Sequence, residues 1–480
     1  MSAMSAASTT DHVLVRKGVY HDSVSLMRVS RTLSALPGVD VAIVAMATEL
    51  NLGLAADLGF SLPDAGPADL LVAIRAADDA TAESATAELD RLLAELAEAA
   101  RRTTGQGRER AAPRTTGAAA RTAGATLALV SVPGEHAFAE ALDAIEAGLS
   151  VMVFSDNVPV EQEVLLKERA AERGVLVMGP DCGTAVVGGA GLGFANVLRP
   201  GPVGVVAASG TGAQQVTCLL DRAGVGVSHV LGVGGRDLSA EVGGRSALAA
   251  LRALDADPGT ELIVLISKPP APEVAARVQE AVAKLDTPVV TAFLGPGGGD
   301  LTAAAEAVLN RLSVPVPEWP SWIAKDAADG AAGALHGIYS GGTLCTEAEY
   351  AAGVGAFTDY GDDAYTRGRP HPMIDPALRL EALGAVPSGD VALLDVVLGH
   401  GADPDPAASL APAVADAVGR GVTVVIALVG TEGDPQGLQR QAEALHAAGA
   451  SVFLSNARAA RYAATLVRRD DAVENDGEKS

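Results

Sequence analysis

The chain has 480 residues, 49% hydrophobic and 20% charged, which is length enough for about three folded domains and excludes a disordered chain. With 59 Asp and Glu against 35 Lys and Arg, its formal net charge of -24 excludes a general nucleic-acid or anionic-membrane binder, since both use positive surface. Glycine is in excess at 54 residues, above the usual share of roughly 7%.

Cys182, Cys218 and Cys345 are too scattered for a disulfide framework or a zinc site, and the eight histidines show no metal-ligand spacing, so no metal is expected. The first ten residues lack a basic segment followed by an apolar one, and no run reaches the roughly 18 apolar residues of a membrane helix. A soluble, cytoplasmic protein is expected.

Short apolar runs alternate with longer amphipathic ones almost from end to end, the pattern of α/β layers with parallel sheets. The first block, 11–100, reads strand 12–16, helix 22–36, strand 39–47, a helix, strand 70–75 and a long helix 79–100. Residues 101–123, rich in Arg, Thr, Gly and Ala without an apolar period, read as a flexible linker. Strands at 126–132, 151–154 and 175–178 alternate with helices in a block at 124–199. A third block, 200–312, starts with strand 203–208. Three prolines mark a second linker at 313–322, the α/β pattern resumes over 323–468, and 469–480 is a charged tail.

Chemistry concentrates in glycine turns. Strand 203–208 runs into Ser209-Gly210-Thr211-Gly212 and then a helix, so backbone N–H groups and the positive dipole end point at one spot, suited to phosphate or carboxylate. The alternative is an ordinary capped turn. A second turn, Gly232-Val-Gly234-Gly235-Arg236-Asp237, adds a guanidinium that can clamp an anion. Gly399-His400-Gly401 and Ser340-Gly341-Gly342-Thr343 make a third and a fourth. Arg367, Arg369 and His371, locked by Pro370 and Pro372, form a cationic loop suited to a carboxylate, or a surface loop paired with Asp362 and Asp363. His400 is a candidate general base or a loop spacer, and Cys182 a reactive thiol or a buried turn residue.

Longer motifs carry a resemblance. Val132-Pro133, Ser155-Asp-Asn-Val-Pro159 and Met178-Gly-Pro-Asp-Cys-Gly183 resemble the later part of the CoA-binding domain of succinyl-CoA synthetase α subunits. Ala208-Ser-Gly-Thr-Gly212 and Gly232-Val-Gly-Gly235 resemble the ligase domain that follows. Leu394 to Gly401 and Gly430-Thr-Glu-Gly433 are similar to the ligase domain of the β subunit. The FdrA family, which joins such parts in one chain, is the closer resemblance, through Val15-Arg-Lys-Gly-Val-Tyr-His-Asp-Ser-Val24, Gly191-Leu-Gly-Phe-Ala-Asn196, Tyr339-Ser-Gly-Gly-Thr-Leu-Cys345 and Gly368-Arg-Pro-His-Pro-Met-Ile-Asp375.

The resemblance implies Rossmann-like and flavodoxin-like domains: a truncated CoA-binding-like one at 124–199, an α-like ligase domain at 200–312 and a β-like one at 323–468. The synthetases pass a phosphoryl group through a loop histidine. The matching loop here, Gly295-Pro-Gly-Gly-Gly-Asp300, has none, and Lys268 stands where their supporting glutamate would be. CoA is the cofactor the resemblance brings in, but the first glycine-rich turn of its domain is missing.

FdrA-type proteins are implicated as one subunit of oxamate carbamoyltransferase in purine catabolism, which exchanges a carbamoyl group between oxalurate and phosphate. The expectation is therefore a carbamoyl or acyl transferase subunit taking phosphate, carbamoyl phosphate or an acyl phosphate, a small carboxylate and companion proteins. The alternatives are an acyl-CoA synthetase with its nucleotide site on another subunit, or a non-catalytic anion-binding scaffold. Expected phosphate binders are Ser209, Gly210, Thr211, Gly212, Gly234, Gly235, Arg236, Gly399 and Gly401. His400 and Lys268 are the expected catalytic groups, and Arg367, Arg369 and His371 the carboxylate holders.

Overall fold

The computed structural model describes residues 9–103, 113, 115–295, 299–324, 333–366 and 369–467. These divide into a unit of residues 1–151, 155–158 and 366–370 and a second of 152–154, 159–365 and 371–480.

The first unit opens with β1 (Thr10–Arg16), α1 (Ser23–Ser34), β2 (Val39–Met46), α2 (Glu49–Asp57), β3 (Leu70–Ala76) and α3 (Asp79–Thr103). Asp22 starts α1 by accepting the Ser25 N–H at 2.9 Å, and the spacing of Leu26, Val29 and Leu33 gives the helix one apolar face. That face and Ala82, Ala85 and Leu89 of α3 cover one side of the sheet, while Ala47, Ala55 and Phe60 cover the other.

The strand order is β1-β3-β2 with both pairings antiparallel, which corrects the expectation of parallel layers here. After α2 the chain returns over residues 58–69 and inserts β3 between the two earlier strands in the opposite sense. Apolar periodicity reports burial, not strand direction.

The linker reading of 101–123 is corrected in part. Helix α4 (Thr116–Ala123) starts at Thr115, which accepts the Ala118 N–H at 3.1 Å, and ends at Gly124 with φ 62°. It buries Gly117 and Ala120 rather than large side chains, which is why no apolar period announces it. Residues 104–112 lie outside the described residues. Then follow β4 (Leu127–Val130), α5 (Gly134–Glu146) and β5 (Ser150–Val153), through which the unit boundary runs. The Gly117 N–H donates to Asp143 of α5 at 2.7 Å.

The second unit holds two six-stranded sheets. Its first half contains α6 (Val160–Arg173), β6 (Val177–Met178), β7 (Thr184–Val187), β8 (Ala190–Gly193), β9 (Pro200–Ala207), α7 (Gly210–Arg222), β10 (Val227–Gly232), α8 (Arg245–Asp255), β11 (Leu262–Ser267), α9 (Pro272–Val282), β12 (Val289–Phe293) and α10 (Leu301–Arg311). The sheet order is β12-β11-β9-β10-β7-β8, parallel from β12 to β10.

The second half contains β13 (Ser321–Trp322), β14 (Leu335–Tyr339), α11 (Gly342–Ala352), β15 (Ala356–Asp359), α12 (Asp363–Thr366), α13 (Ala377–Ala385), β16 (Val391–Val397), α14 (Pro406–Gly419), β17 (Thr423–Val429), α15 (Leu438–Ala447), β18 (Ser451–Phe453) and α16 (Asn456–Thr465). The order is β13-β18-β17-β16-β14-β15, parallel except for β13.

The strands β11 and β16 are buried throughout, as parallel strands covered on both faces must be. The second linker, 313–322, is anchored at its end: β13 pairs with β18, and the indole N–H of buried Trp319 donates to Glu306 at 2.8 Å. The tail, 469–480, lies outside the described residues. No described helix is long and apolar enough to cross a membrane.

Candidate functional site

Both sheets of the second unit deliver turns at the carboxyl ends of their parallel strands, where α/β folds place ligands. After β9, Ser209 is extended and caps α7; its Oγ accepts the Gly212 N–H at 2.9 Å. The same hydroxyl donates to Oγ1 of Thr343 at 2.7 Å, on the first turn of α11.

The two helix starts touch. A Cβ on Gly341 would lie 2.7 Å from Thr211, and one on Gly212 would lie 3.1 Å from the Thr343 methyl. Two positive helix ends therefore converge, one from each sheet. Among the described residues, no acceptor takes the N–H groups of Gly210, Thr211, Gly342 or Thr343. Such a donor set takes a phosphoryl or carboxylate group.

The α11 start is held from beneath. Asp395, fully buried in β16, accepts from the Ser340 N–H at 2.8 Å, the Ser340 hydroxyl at 2.9 Å and the Gly341 N–H at 2.9 Å. Buried Arg379 pairs with it at 3.3 Å. Burial raises the Asp395 carboxyl, against the pull of Arg379 and of these hydrogen bonds.

Beside the site, a Cβ on Gly342 would lie 2.5 Å from Oδ2 of Asp359 and 3.1 Å from Nζ of Lys268. Burial, with help from the Asp395 charge, pushes Asp359 up to about 6, although the Gly361 N–H donates to it and Lys268 opposes the shift.

A second buried network joins the two halves. Glu347 of α11 accepts the Leu301 N–H of α10 at 2.6 Å and the Asn456 amide at 2.7 Å, while the Asn456 N–H donates to Gln215 of α7 at 3.0 Å. Burial pushes Glu347 up to about 7, against those two hydrogen bonds. A carboxyl raised on folding stabilises fully below its unfolded value of about 4.5 and loses that contribution as pH climbs through about 7.

Glu347→Gln is expected to flatten this loss. Urea melts of both proteins across pH 4.5–7.5 should show their stability difference drifting by about 3 kcal/mol in the variant's favour toward high pH. A pH-independent difference would contradict the assignment.

Of the expected site residues, Ser209, Gly210, Thr211, Gly212 and Lys268 come together here. The turn 234–236 is used otherwise. A Cβ on Gly234 would meet the Pro180 carbonyl at 2.4 Å, Gly235 is exposed, and Arg236 pairs with buried Glu163 at 3.0 Å. Its anion-clamp role is corrected: Glu163 also belongs to a buried cluster with Lys167 and Asp237 that needs the charge.

The Gly399–Gly401 turn is corrected likewise. The Gly399 N–H donates to Gln436 at 3.1 Å and the His400 N–H to Ala195 at 2.8 Å, so these two donors are spent, while Gly401 packs against Phe194, where a Cβ would lie 2.9 Å from the ring. The His400 ring is exposed, with no hydrogen-bond or ion-pair partner among the described residues. His371 is no cation: burial pushes it down to about 4, and its Nδ1 accepts the Met373 N–H at 3.2 Å. Arg369 is exposed, and Arg367 lies outside the described residues. Cys182 is buried and its thiol pushed up to about 12 by burial, which removes it as a nucleophile.

Sequence reasoning counted the 340–343 turn among the glycine turns suited to anions but did not name Gly341, Gly342 and Thr343 as phosphate binders, and it missed Asp359, Asp395 and Arg379 altogether. Two signals were present: the second Ser-Gly turn before a helix, and a lone aspartate inside the apolar run 391–398.

Comparison with known proteins adds relatives. Family models match residues 4–111 (AllF, heavy metal-associated domain), 199–295 (CoA binding domain) and 338–466 (CoA-ligase). The uncharacterized protein YahF of Escherichia coli K12 is 37% identical over 91% of this chain and 95% of its own length. The α subunit 2 of an ADP-forming succinate–CoA ligase from Archaeoglobus fulgidus is 31% identical over 35% of this chain and 56% of its own length. Among solved structures, an acetyl-coenzyme A synthetase from Ca. Korarchaeum cryptofilum aligns over 71% of this chain and 82% of its own at 16% identity, with a TM-score of 0.26.

The heavy-metal label does not fit the residues present. Positions 4–111 contain no cysteine, and the described residues hold no cluster of three metal-ligating side chains. For CoA, the donors at the α7 and α11 starts are those a phosphoryl group takes, and none of the groups described there addresses a thiol or an adenine ring.

Proposed function

Since the chain belongs to the family of the Escherichia coli protein YahF and carries succinyl-CoA synthetase-like CoA-binding and ligase domains, we propose that it is an FdrA-type transferase subunit that handles an acyl or carbamoyl phosphate directly. The reaction proposed is that of oxamate carbamoyltransferase: oxalurate and phosphate to oxamate and carbamoyl phosphate, with companion proteins supplying the rest of the site.

The observation that carries this reading is the pair of touching helix starts, with unspent N–H donors at Gly210, Thr211, Gly342 and Thr343 and no histidine in the loop 295–300. When carbamoyl phosphate is consumed, the oxamate nitrogen attacks the carbamoyl carbon and gives up one proton, the C–O bond to phosphate breaks, and the departing phosphate gathers the negative charge and takes up that proton. Fixed N–H donors stabilise that charge without reorganising. We assign the oxamate carboxylate to Lys268, whose Nζ would lie 3.1 Å from a Cβ on Gly342 at the edge of the same site.

A second reading, an acid–thiol ligase whose nucleotide site lies on another chain, is favoured by the CoA-ligase match over 338–466. Incubating the purified chain and its companions with oxamate and carbamoyl phosphate distinguishes the two. Oxalurate formation is expected; no oxalurate, together with CoA consumption when acid and nucleotide are supplied, would overturn the proposal.

A further inference from the structure

Resting on the phosphoryl site just described, we propose that Asp359 is its proton-holding residue: the carboxyl takes up one proton as the anion binds and donates that O–H to it. Asp359 ends β15 and lies against the first residue of α11, close enough that any side chain at Gly342 would strike it. A carboxylate there competes with an incoming anion for the same helix end. Protonation turns the competitor into a donor: the carboxylate gains one proton from solvent, and the neutral O–H faces the anion.

The surroundings set the balance. Lys268, on the loop after β11, favours the ionised form, whereas Asp395 on β16 and Asp362 on its own loop oppose it. Arg379 of α13 is engaged with Asp395. His371 reaches the same corner, since a Cβ on Gly361 would lie 2.9 Å from its Nε2 and 3.1 Å from Oδ1 of Asp359. It is held neutral by burial and adds no charge. Cys345, on the second turn of α11, has its thiol pushed up to about 12 by burial and stays neutral as well.

Sulfate is the probe, because unlike phosphate it does not itself titrate near neutrality. Calorimetry in buffers of different ionisation heat should show nearly one proton taken up per sulfate at pH 7.5 by the wild type. Its affinity should fall about tenfold per pH unit between 7 and 8. Asp359→Asn should bind sulfate with no proton uptake and a flat pH profile.

Sulfate binding without proton uptake in the wild type, or an unchanged slope in Asp359→Asn, would overturn this inference and leave the anion site standing. Absence of sulfate binding to either protein at any pH would remove both. An infrared titration of the ligand-free wild type against Asp359→Asn should show one protonated carboxyl lost near neutral pH; no difference between them would also overturn it.

Discussion

Gly341→Ala is expected to weaken phosphate binding about 100-fold while leaving the chain folded. Gly341 needs no special backbone angle, its φ being -119°. Its constraint is space, because an added Cβ would stand 2.7 Å from Cγ2 and Oγ1 of Thr211 and 2.9 Å from its Cβ. Rotation about χ1 moves Cγ2 and Oγ1 but not the Cβ, which is fixed to the α7 backbone, so the two helix starts must separate.

Overpacking of this kind costs about 1–3 kcal/mol of stability. The larger effect is on the ligand, since misplacing fixed donors by about 1 Å costs on the order of 100-fold. Isothermal titration with phosphate measures it. Thr211→Gly in the same chain removes the obstructing Cβ and should restore most of the affinity.

Asp395→Ala should produce the largest loss of stability, about 3–5 kcal/mol in a urea melt, because it leaves Arg379 buried without its counter-charge. It also strips the Ser340 and Gly341 N–H groups of their acceptor, so the α11 start loses its seat. The double variant Asp395→Ala, Arg379→Met separates the two consequences. Removing the orphaned charge should recover most of the stability, whereas phosphate affinity should stay low because nothing holds the turn. Recovery of both would show that Asp395 serves packing alone.

Much of this was legible in the sequence, for identifiable reasons. Ser209-Gly-Thr-Gly212 follows an unbroken apolar strand and precedes a helix, and that local grammar is enough to place backbone donors. Lys268 was placed by resemblance to a loop of the synthetases.

What stayed hidden is what depends on partners distant in sequence. Thr343 becomes a site residue only because β14 delivers it to Ser209, 134 positions away. Asp359 depends on strand pairing that puts β15 beside β14, and Asp395 on its place beneath the same turn. Conversely, the 399–401 turn looked equivalent to 209–212, but its Gly399 and His400 N–H groups are taken by Gln436 and Ala195, a fact no local pattern carries. The antiparallel first sheet and the helix at 116–123 were missed because small residues and strand direction leave no periodic trace.

The most direct test of the central claim is phosphate titration of the wild type beside Gly210→Asp, which sets a carboxylate at the α7 start. Binding to the wild type is expected, with a loss of at least about 100-fold in the variant. Equal affinity in the two proteins would contradict a phosphoryl site at the converging ends of α7 and α11.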